Sequence, residues 1–161
     1  MTTYFTTIPS PIGRLLLTAT DQGLSGVFME NHKGGPDPQP DWTQDRSAFR
    51  DAAGQLERYF AGQLRQFDLP LHLHGTPFQL EVWNALLTIP YGSTASYRDI
   101  AFAIRRPNSV RAVGAANGQN PVSIVVPCHR VIGADGSLTG YGGGLERKQF
   151  LLELEAGIRR L

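Results

Sequence analysis

The clearest candidate for chemistry in this 161-residue chain is its single cysteine, Cys128, which is followed directly by His129 and Arg130. A free thiol with an ordinary pKa near 8.5 is only about 7% thiolate at pH 7.4, so a nucleophilic cysteine needs a neighbouring base or cation. The imidazole and the guanidinium can supply both. One cysteine excludes an internal disulfide and a zinc site built on several thiolates. Cys128 is therefore either a reactive nucleophile or an inert core residue.

The segment that precedes this cysteine is a run of mostly β-branched residues from Val122 to Val126. Such a run predicts a buried strand, so Cys128 is expected where a core strand ends. Neighbours on a strand point to opposite faces, because the side-chain period is two. We therefore expect His129 to reach the thiol through a bridging water.

Three helices are predicted upstream of this segment. Thr76, with a glutamine three residues later, starts a capped helix that runs to about Leu87. Ser96 caps a second helix, which Pro107 ends, and a third begins near Ser109. The last two are joined by a tight turn and predict a helix-turn-helix.

The third helix is predicted to present one long cation among small residues on its outward face, namely Arg111, Ala112, Ala115 and Ala116. Such a face lets a helix backbone approach a DNA groove, but alanines also pack against neighbouring helices, so both interpretations stay open. The net charge of +1 argues neither for nor against nucleic acid. Arginines dominate one stretch and predict either an anion-facing surface or a solvated face: Arg98, Arg105, Arg106, Arg111 and Arg130.

The first half of the chain predicts a small α/β unit without a catalytic constellation. Short β-type runs separated by turn residues predict antiparallel strands at Tyr4 to Ile8, Leu15 to Thr20 and Leu24 to Met29. Residues 31–46 are polar and predict a loop, and apolar residues then recur at helical spacing from Phe49 until Gly62. Strict alternation from Phe67 to Leu73 predicts a half-buried strand. We expect this half to act as a scaffold.

The composition excludes several classes of protein. No run approaches the roughly 18 apolar residues of a membrane span, and the first residues lack the layout of a signal peptide, so a cytoplasmic protein without membrane contact is expected. The glycine run at 140–144 comes without a phosphate-loop lysine or Rossmann spacing. No cofactor and no metal are therefore predicted.

The residues around the cysteine resemble one known family. An Asn-Pro pair at 120–121, a Pro-Cys-His-Arg-Val-Ile-Gly run at 127–133 and a Thr-Gly-Tyr-Gly-Gly-Gly run at 139–144 are similar to the O6-alkylguanine-DNA alkyltransferases, also called methylated-DNA-protein-cysteine methyltransferases. The resemblance is strong over residues 76–157. It implies a ribonuclease H-like α/β N-terminal domain, a small antiparallel sheet plus a helix, over residues 1–75. A mainly helical C-terminal domain with the helix-turn-helix would occupy residues 76–161.

The resemblance also implies a reaction. Cys128 would attack the alkyl carbon on guanine O6, restoring guanine and leaving an S-alkylcysteine that cannot leave. Each molecule would therefore act once, as a suicidal S-methyltransferase in DNA repair. His129 would deprotonate the thiol through a water, Glu155 would hold the imidazole, and Asn120 would brace the active-site turn.

Recognition of the damaged base is implied in the same way. The target base must leave the duplex to be reached, at a cost of a few kcal/mol. Arg111 would fill the vacated stack from the minor groove, where Ala112, Ala115 and Arg98 would also face double-stranded DNA. Tyr97 would protonate or hydrogen-bond guanine N3. The residues expected to line the substrate pocket are Tyr141, Gly142, Ser123 and Val131.

Several properties stay open at this point. Ser123 and Gly142 stand where some members of the family have other residues, so tolerance for bulky alkyl groups is left open. Repair of O4-alkylthymine is a separate open question. We expect a monomer in solution, with cooperative assembly on DNA left open. Two other classes compete: a helix-turn-helix transcriptional regulator with a structural or redox cysteine, and a cysteine hydrolase built on Cys128 and His129.

Overall fold

The structure is a computed structural model that describes residues 1–31 and 35–158. It begins with an antiparallel meander of three strands. Its strands are β1 (Tyr4–Ile8), β2 (Leu15–Thr20) and β3 (Gly23–Met29), which confirms the three predicted strands. A two-residue strand, β4 (Thr43–Gln44), pairs in parallel with β1 and gives the order β3-β2-β1-β4. The predicted loop over 31–46 thus contains a short strand. Positions 32–34 of that loop and 159–161 of the second predicted domain lie outside the described residues.

A 3-10 turn that contacts β1 and β2 leads into the first helix. Asp45 caps a 3-10 turn at Arg46–Phe49 through the backbone N–H of Ser47, and helix α1 (Arg50–Phe60) follows, as predicted. Its buried side chains pack into the core: Ala52, Leu56, Tyr59 and Phe60. The α/β scaffold predicted for the first half is therefore present.

The predicted strand from Phe67 to Leu73 is wrong as a regular strand. Only Leu71 forms a bridge, parallel to Leu24 of β3. Pro70 has no N–H to donate to a ladder, and its carbonyl accepts from the N–H of Leu24 at 2.8 Å. The alternation is nevertheless real, because the apolar residues are partly buried whereas Asp68 and Pro70 are exposed.

The second half is mainly helical. Its helices are α2 (Pro77–Leu86), α3 (Tyr97–Ala103), α4 (Val110–Gly118) and α5 (Leu145–Glu155). Capping boxes at Thr76 and Ser96 start α2 and α3, as their sequences predict. A short parallel pair, β5 (Ala95–Ser96) and β6 (Val131–Ile132), joins the start of α3 to the segment after the cysteine. None of the helices in the described ranges is long and apolar enough to cross a membrane.

The segment from Val122 to Val126 is buried as predicted, but it is not a strand. Val122 alone bridges to Val27 of β3, and the chain then turns, with Ile124 in the left-handed region at φ +74°. Cys128 consequently opens a 3-10 turn, Cys128–Arg130, and does not end a strand. The prediction failed because apolar composition reports burial and does not distinguish a strand from a buried turn.

Strand β3 joins the two halves of the protein. The N–H of Val27 donates to the carbonyl of Pro121 at 2.9 Å, and the N–H of Ser123 donates to the carbonyl of Val27 at 3.2 Å. The edge of the first sheet is therefore hydrogen-bonded to the segment that leads to the cysteine. One continuous core includes residues from both halves.

Candidate active site

The turn that presents the cysteine is held by the side chain of Asn120. Its Oδ1 accepts from the backbone N–H of Val122 at 3.0 Å, and its Nδ2 donates to the carbonyl of Val126 at 2.8 Å. These bonds satisfy backbone groups that a strand would have satisfied in a ladder. Asn120 is buried, so the amide acts as an internal brace for the turn.

Cys128 lies at the end of this turn and is 4% exposed. Burial raises the pKa of its thiol, and the nearby Asn120 amide and Lys148 ammonium oppose only part of that rise. The sulfur is therefore a neutral thiol in the resting protein. A nucleophile of this kind needs a base that removes its proton during the reaction.

His129 is fully buried beside the cysteine and has the features of such a base. Burial lowers the pKa of His129, so the imidazole is neutral at pH 7. Its Nε2 donates to Oε2 of Glu155 at 2.7 Å, because the carboxylate can only accept. Within the described residues its Nδ1 has no hydrogen-bond partner. The nitrogen without a partner is thus an acceptor, available to a water or a proton.

Glu155 is the centre of a buried polar cluster at the end of α5. Arg130 donates from Nε to Oε1 at 2.7 Å and from Nη2 to Oε2 at 3.0 Å. The N–H of Gly92 reaches Oε1 at 3.3 Å, and the hydroxyl of Tyr59 reaches Oε2 at 2.6 Å. Although burial raises it, the bonds from His129 and Arg130 hold the pKa of Glu155 well below its usual range. Glu155 is therefore a permanent carboxylate that fixes the imidazole.

Two buried basic residues, one in this cluster and one on the same helix as Glu155, were not predicted in these roles. Arg130 was expected on an anion-facing surface or a solvated face, but it is buried and also donates to the carbonyl of Ile89 at 2.7 Å. The Nζ of Lys148 donates to the carbonyls of Val131 at 2.6 Å and Thr139 at 2.8 Å. Lys148 precedes Glu155 by seven positions, and this helical spacing was the one sequence signal that both face the core.

The loop after β6 brings Tyr141, one of the predicted pocket residues, close to Cys128 and Ser123. The hydroxyl of Thr139 donates to that of Tyr97 at 3.1 Å, which ties α3 to this loop. Burial raises the pKa of Tyr141, and the nearby Cys128 adds to that rise because the two groups would repel each other if both were ionised. Ser123 and Val131 are buried, whereas Tyr141 and Gly142 are partly exposed.

The first half of the chain also contacts this loop. A Cβ at Gly143 would collide with Met29 at the end of β3, and Arg147 of α5 donates to the backbone carbonyl of Glu30. The loop therefore rests on the N-terminal sheet. This contact was not predicted, because nothing in the spacing of Met29 indicates it.

The predicted DNA-facing residues lie on the outside of α3 and α4. Arg111, Ala112 and Ala115 of α4 are exposed, as is Arg98 of α3. Ala116, expected on the same outward face, is buried, and its carbonyl accepts from the indole of Trp83 at 2.8 Å. The outward face is accordingly narrower than predicted. Across the described residues, no group of three or more His, Cys, Asp or Glu side chains could hold a metal ion.

Two family models match this chain. The model described as 6-O-methylguanine DNA methyltransferase, DNA binding domain, matches residues 77–157. The model described as 6-O-methylguanine DNA methyltransferase, ribonuclease-like domain, matches residues 3–73. The chain belongs to the 6-O-methylguanine DNA methyltransferase family. The family expected from the motifs around Cys128 is therefore confirmed.

Named relatives of this methyltransferase are similar over nearly their whole length. The methylated-DNA–protein-cysteine methyltransferase of Mycobacterium tuberculosis is 55% identical over 152 residues, covering 94% of this chain and 92% of the relative. That of Methanosarcina barkeri is 50% identical over 152 residues, covering 94% and 96%. The crystal structure of Mycobacterium tuberculosis OGT in complex with DNA has a TM-score of 0.91 at 52% identity, covering 98% and 95%. The expected α/β N-terminal part and helical C-terminal part are confirmed.

Acid is expected to destabilise this methyltransferase through its buried pair. Because the pKa of His129 is lowered in the folded protein, the unfolded chain binds a proton first as the pH falls below about 6.5, and stability decreases. The lowered pKa of Glu155 adds a second loss below about pH 4.3. Urea unfolding at a series of pH values measures both. In His129→Gln the slope between about pH 6.5 and 5 should be reduced, and an unchanged slope would contradict this assignment.

Proposed function

We propose that this protein repairs alkylated DNA directly, by transferring the alkyl group of O6-alkylguanine to Cys128 and keeping it. One observation carries the proposal. The buried thiol of Cys128 lies in a braced turn beside His129, whose Nε2 is fixed by Glu155 and whose Nδ1 has no partner in the described part of the chain. The family match and the named relatives support this methyltransferase activity.

The proton leaves the thiol through His129. A water between Sγ and Nδ1 passes the proton of Cys128 to the imidazole, and Glu155 stabilises the imidazolium. The sulfur attacks the alkyl carbon in line with the C–O6 bond, so the S–C bond forms as the C–O bond breaks. Tyr97 donates a proton or a hydrogen bond to guanine N3 as the leaving base gains charge. The products are unmodified guanine and an S-alkylcysteine.

Each chain reacts once, because a thioether is a poor leaving group under mild conditions. The alkyl group therefore remains on the protein as part of the S-alkylcysteine. This separates the proposal from a cysteine hydrolase. With excess substrate, the amount of guanine restored, counted by chromatography of the nucleosides, should stop at one per chain; continued release would favour the hydrolase.

The damaged base reaches the site by leaving the duplex. The exposed face of α4 offers Arg111 between small residues, which suits close approach of the helix to the minor groove while the arginine replaces the flipped base. The DNA backbone beside this groove is contacted by Ala112, Ala115 and Arg98. DNA as the partner is supported by the crystal structure of the Mycobacterium tuberculosis protein in complex with DNA, and we propose that the DNA is double-stranded.

The flipped base is received by the loop after β6. Tyr141 and the backbone of Gly142 close over it, and Ser123 and Val131 form the wall beside the alkyl group. The hydroxyl of Tyr141 is buried and lies beside Ser123, where we expect it to meet a polar group of the substrate. The tether between Thr139 and Tyr97 places the proposed N3 donor beside the same loop.

Arg111→Ala is expected to slow repair of duplex DNA by about 10- to 100-fold, because base flipping costs a few kcal/mol and each 1.4 kcal/mol is a factor of ten. Transfer from the free base O6-methylguanine should be unchanged, since no base has to be flipped. Single-turnover rates with both substrates measure the two effects. Arg98→Ala is the matched control and should weaken DNA binding without this selectivity; equal losses on both substrates in Arg111→Ala would contradict the role of Arg111.

Finer properties belong to the same proposal. We place the boundary between the two domains near residues 75 and 76 and expect a cytoplasmic monomer in solution. The family match does not favour the transcriptional regulator, which would keep its function in Cys128→Ala.

A further inference from the structure

A hydroxyl from the first half of the chain enters the polar cluster around Glu155. Tyr59 of α1 donates to Oε2 of Glu155 at 2.6 Å, although the two residues are 96 positions apart. The same oxygen accepts from Nε2 of His129 at 2.7 Å and from Nη2 of Arg130 at 3.0 Å. Three donors therefore share one carboxylate oxygen, and one of them comes from the N-terminal sheet domain.

The surroundings of Tyr59 fix this donor in place. Its ring is fully buried and packs against Phe60 and Phe67, with ring centroids 5.4 Å away in each case. Burial, followed by the charge of Glu155, raises the pKa of Tyr59 far above its ordinary value, so the hydroxyl stays protonated. A protonated phenol next to a carboxylate can only donate to it. The bond is thus a permanent, charge-assisted hydrogen bond.

We propose that Tyr59 is a positioning residue of the alkyl-transfer reaction. Its hydroxyl holds Oε2 of Glu155 in place and reduces the negative charge that this oxygen presents to His129. The inference rests on the proton path proposed above. It gives the N-terminal half a part in the chemistry beyond scaffolding, because the set of donors around Glu155 is incomplete without α1.

The physical effect of the bond follows from the shared oxygen. By donating to Oε2, Tyr59 takes up part of its negative charge, and the carboxylate then stabilises an imidazolium at His129 less strongly. The imidazole accordingly stays neutral down to a lower pH, and over that range Nδ1 can still accept a proton. Without the hydroxyl, His129 would become protonated at a higher pH and stop acting as the base.

Other ionisable groups face the same pair, and the test has to separate Tyr59 from them. They come from the turn after α2, the 3-10 turn, the loop after β6 and α5: Tyr91, Cys128, Arg130, Tyr141 and Lys148. All five of these side chains are still present in a variant that lacks only the hydroxyl of Tyr59. Tyr59→Phe therefore changes one hydrogen bond and keeps the ring packing.

The experiment is the rate of methyl transfer from the free base O6-methylguanine to the full-length protein, measured from about pH 4.5 to 8. Tyr59→Phe should move the fall in rate on the acid side upward by about 0.5–1 pH unit, since one unit corresponds to 1.36 kcal/mol. NMR titration of the His129 ring in unreacted protein should show the same shift. Phe67→Leu is the matched control, because it loosens the ring packing but leaves the hydroxyl; it should lower stability without moving the acid limb.

The outcomes separate this inference from the proposed function. If His129→Gln keeps the acid limb of the native protein, the proton path itself is wrong, and the role of Tyr59 is overturned with it. If the limb disappears in His129→Gln but Tyr59→Phe leaves it in place, the path stands and Tyr59 is only a packing residue. A shift in Phe67→Leu equal to that in Tyr59→Phe would also overturn the inference.

Discussion

Glu155→Ala is expected to lower the free energy of unfolding by about 3–5 kcal/mol, the cost of leaving a buried charge without its partner. Arg130 would keep its buried guanidinium but lose both bonds to the carboxylate, and Tyr59 and His129 would lose their acceptor. Urea unfolding at pH 7 measures the loss. A large fraction of the stability of a domain of this size would disappear.

The matched control is Glu146→Ala, which removes an exposed carboxylate from the first turn of the same helix. It should cost less than about 1 kcal/mol, because an exposed acid near a helix N-terminus contributes little. Glu155→Gln should lower the free energy of unfolding by an amount between those of the two alanine variants, since the amide keeps the shape of the side chain but not its charge. If Glu155→Ala and Glu146→Ala were equally stable, the buried cluster around Glu155 would not stabilise the fold as proposed.

Cys128→Ala is expected to abolish methyl transfer completely while leaving folding and DNA binding intact. The sulfur is the nucleophile of the proposed reaction, whereas the proposed DNA contacts lie on α3 and α4. Replacing a small buried thiol by a methyl group removes little volume, so stability should change by about 1 kcal/mol or less. Binding to duplex DNA containing O6-methylguanine, followed by fluorescence anisotropy, should persist.

Cys128→Ala also separates a DNA-repair alkyltransferase from a transcriptional regulator. A transcriptional regulator would keep its whole function without the thiol, and its binding would depend on sequence. Residual transfer in Cys128→Ala would show that another residue accepts the alkyl group. Loss of folding would instead make the cysteine a structural residue.

The sequence predicted those elements whose signals are local. The capping boxes at Thr76 and Ser96 fixed the starts of α2 and α3, since a cap involves residues three positions apart. Short β-type runs separated by turn residues placed β1, β2 and β3 correctly. The motif around Cys128 indicated the family, and the pairing of His129 with Glu155 followed from the resemblance and is present in the structure.

The errors lie where tertiary contacts override local pattern. Val122 to Val126 reads as a strand, but the side chain of Asn120 bonds its backbone and allows a turn instead. Phe67 to Leu73 alternates like a strand, yet it meets β3 at a single bridge. Burial was predicted correctly in both segments and backbone pairing was not, because apolar composition reports only burial.

The polar cluster could be predicted only in part for a related reason. Arg130 was grouped with four other arginines of one stretch, a pattern that predicts a charged surface and carries no information about a buried partner. Its partner Glu155 and the donor Tyr59 are 25 and 96 positions away from the residues they contact. Contacts of that range leave no spacing signal in a single sequence. The contribution of the N-terminal half to the site was therefore visible only in the folded protein.

The most direct test of the central claim is the intact mass of the protein after incubation with excess duplex DNA containing O6-methylguanine, followed by peptide mapping. The account predicts a gain of one methyl group per chain, located on the peptide that contains Cys128. No gain in a folded protein that binds the duplex, or a methyl group on another residue, would contradict it.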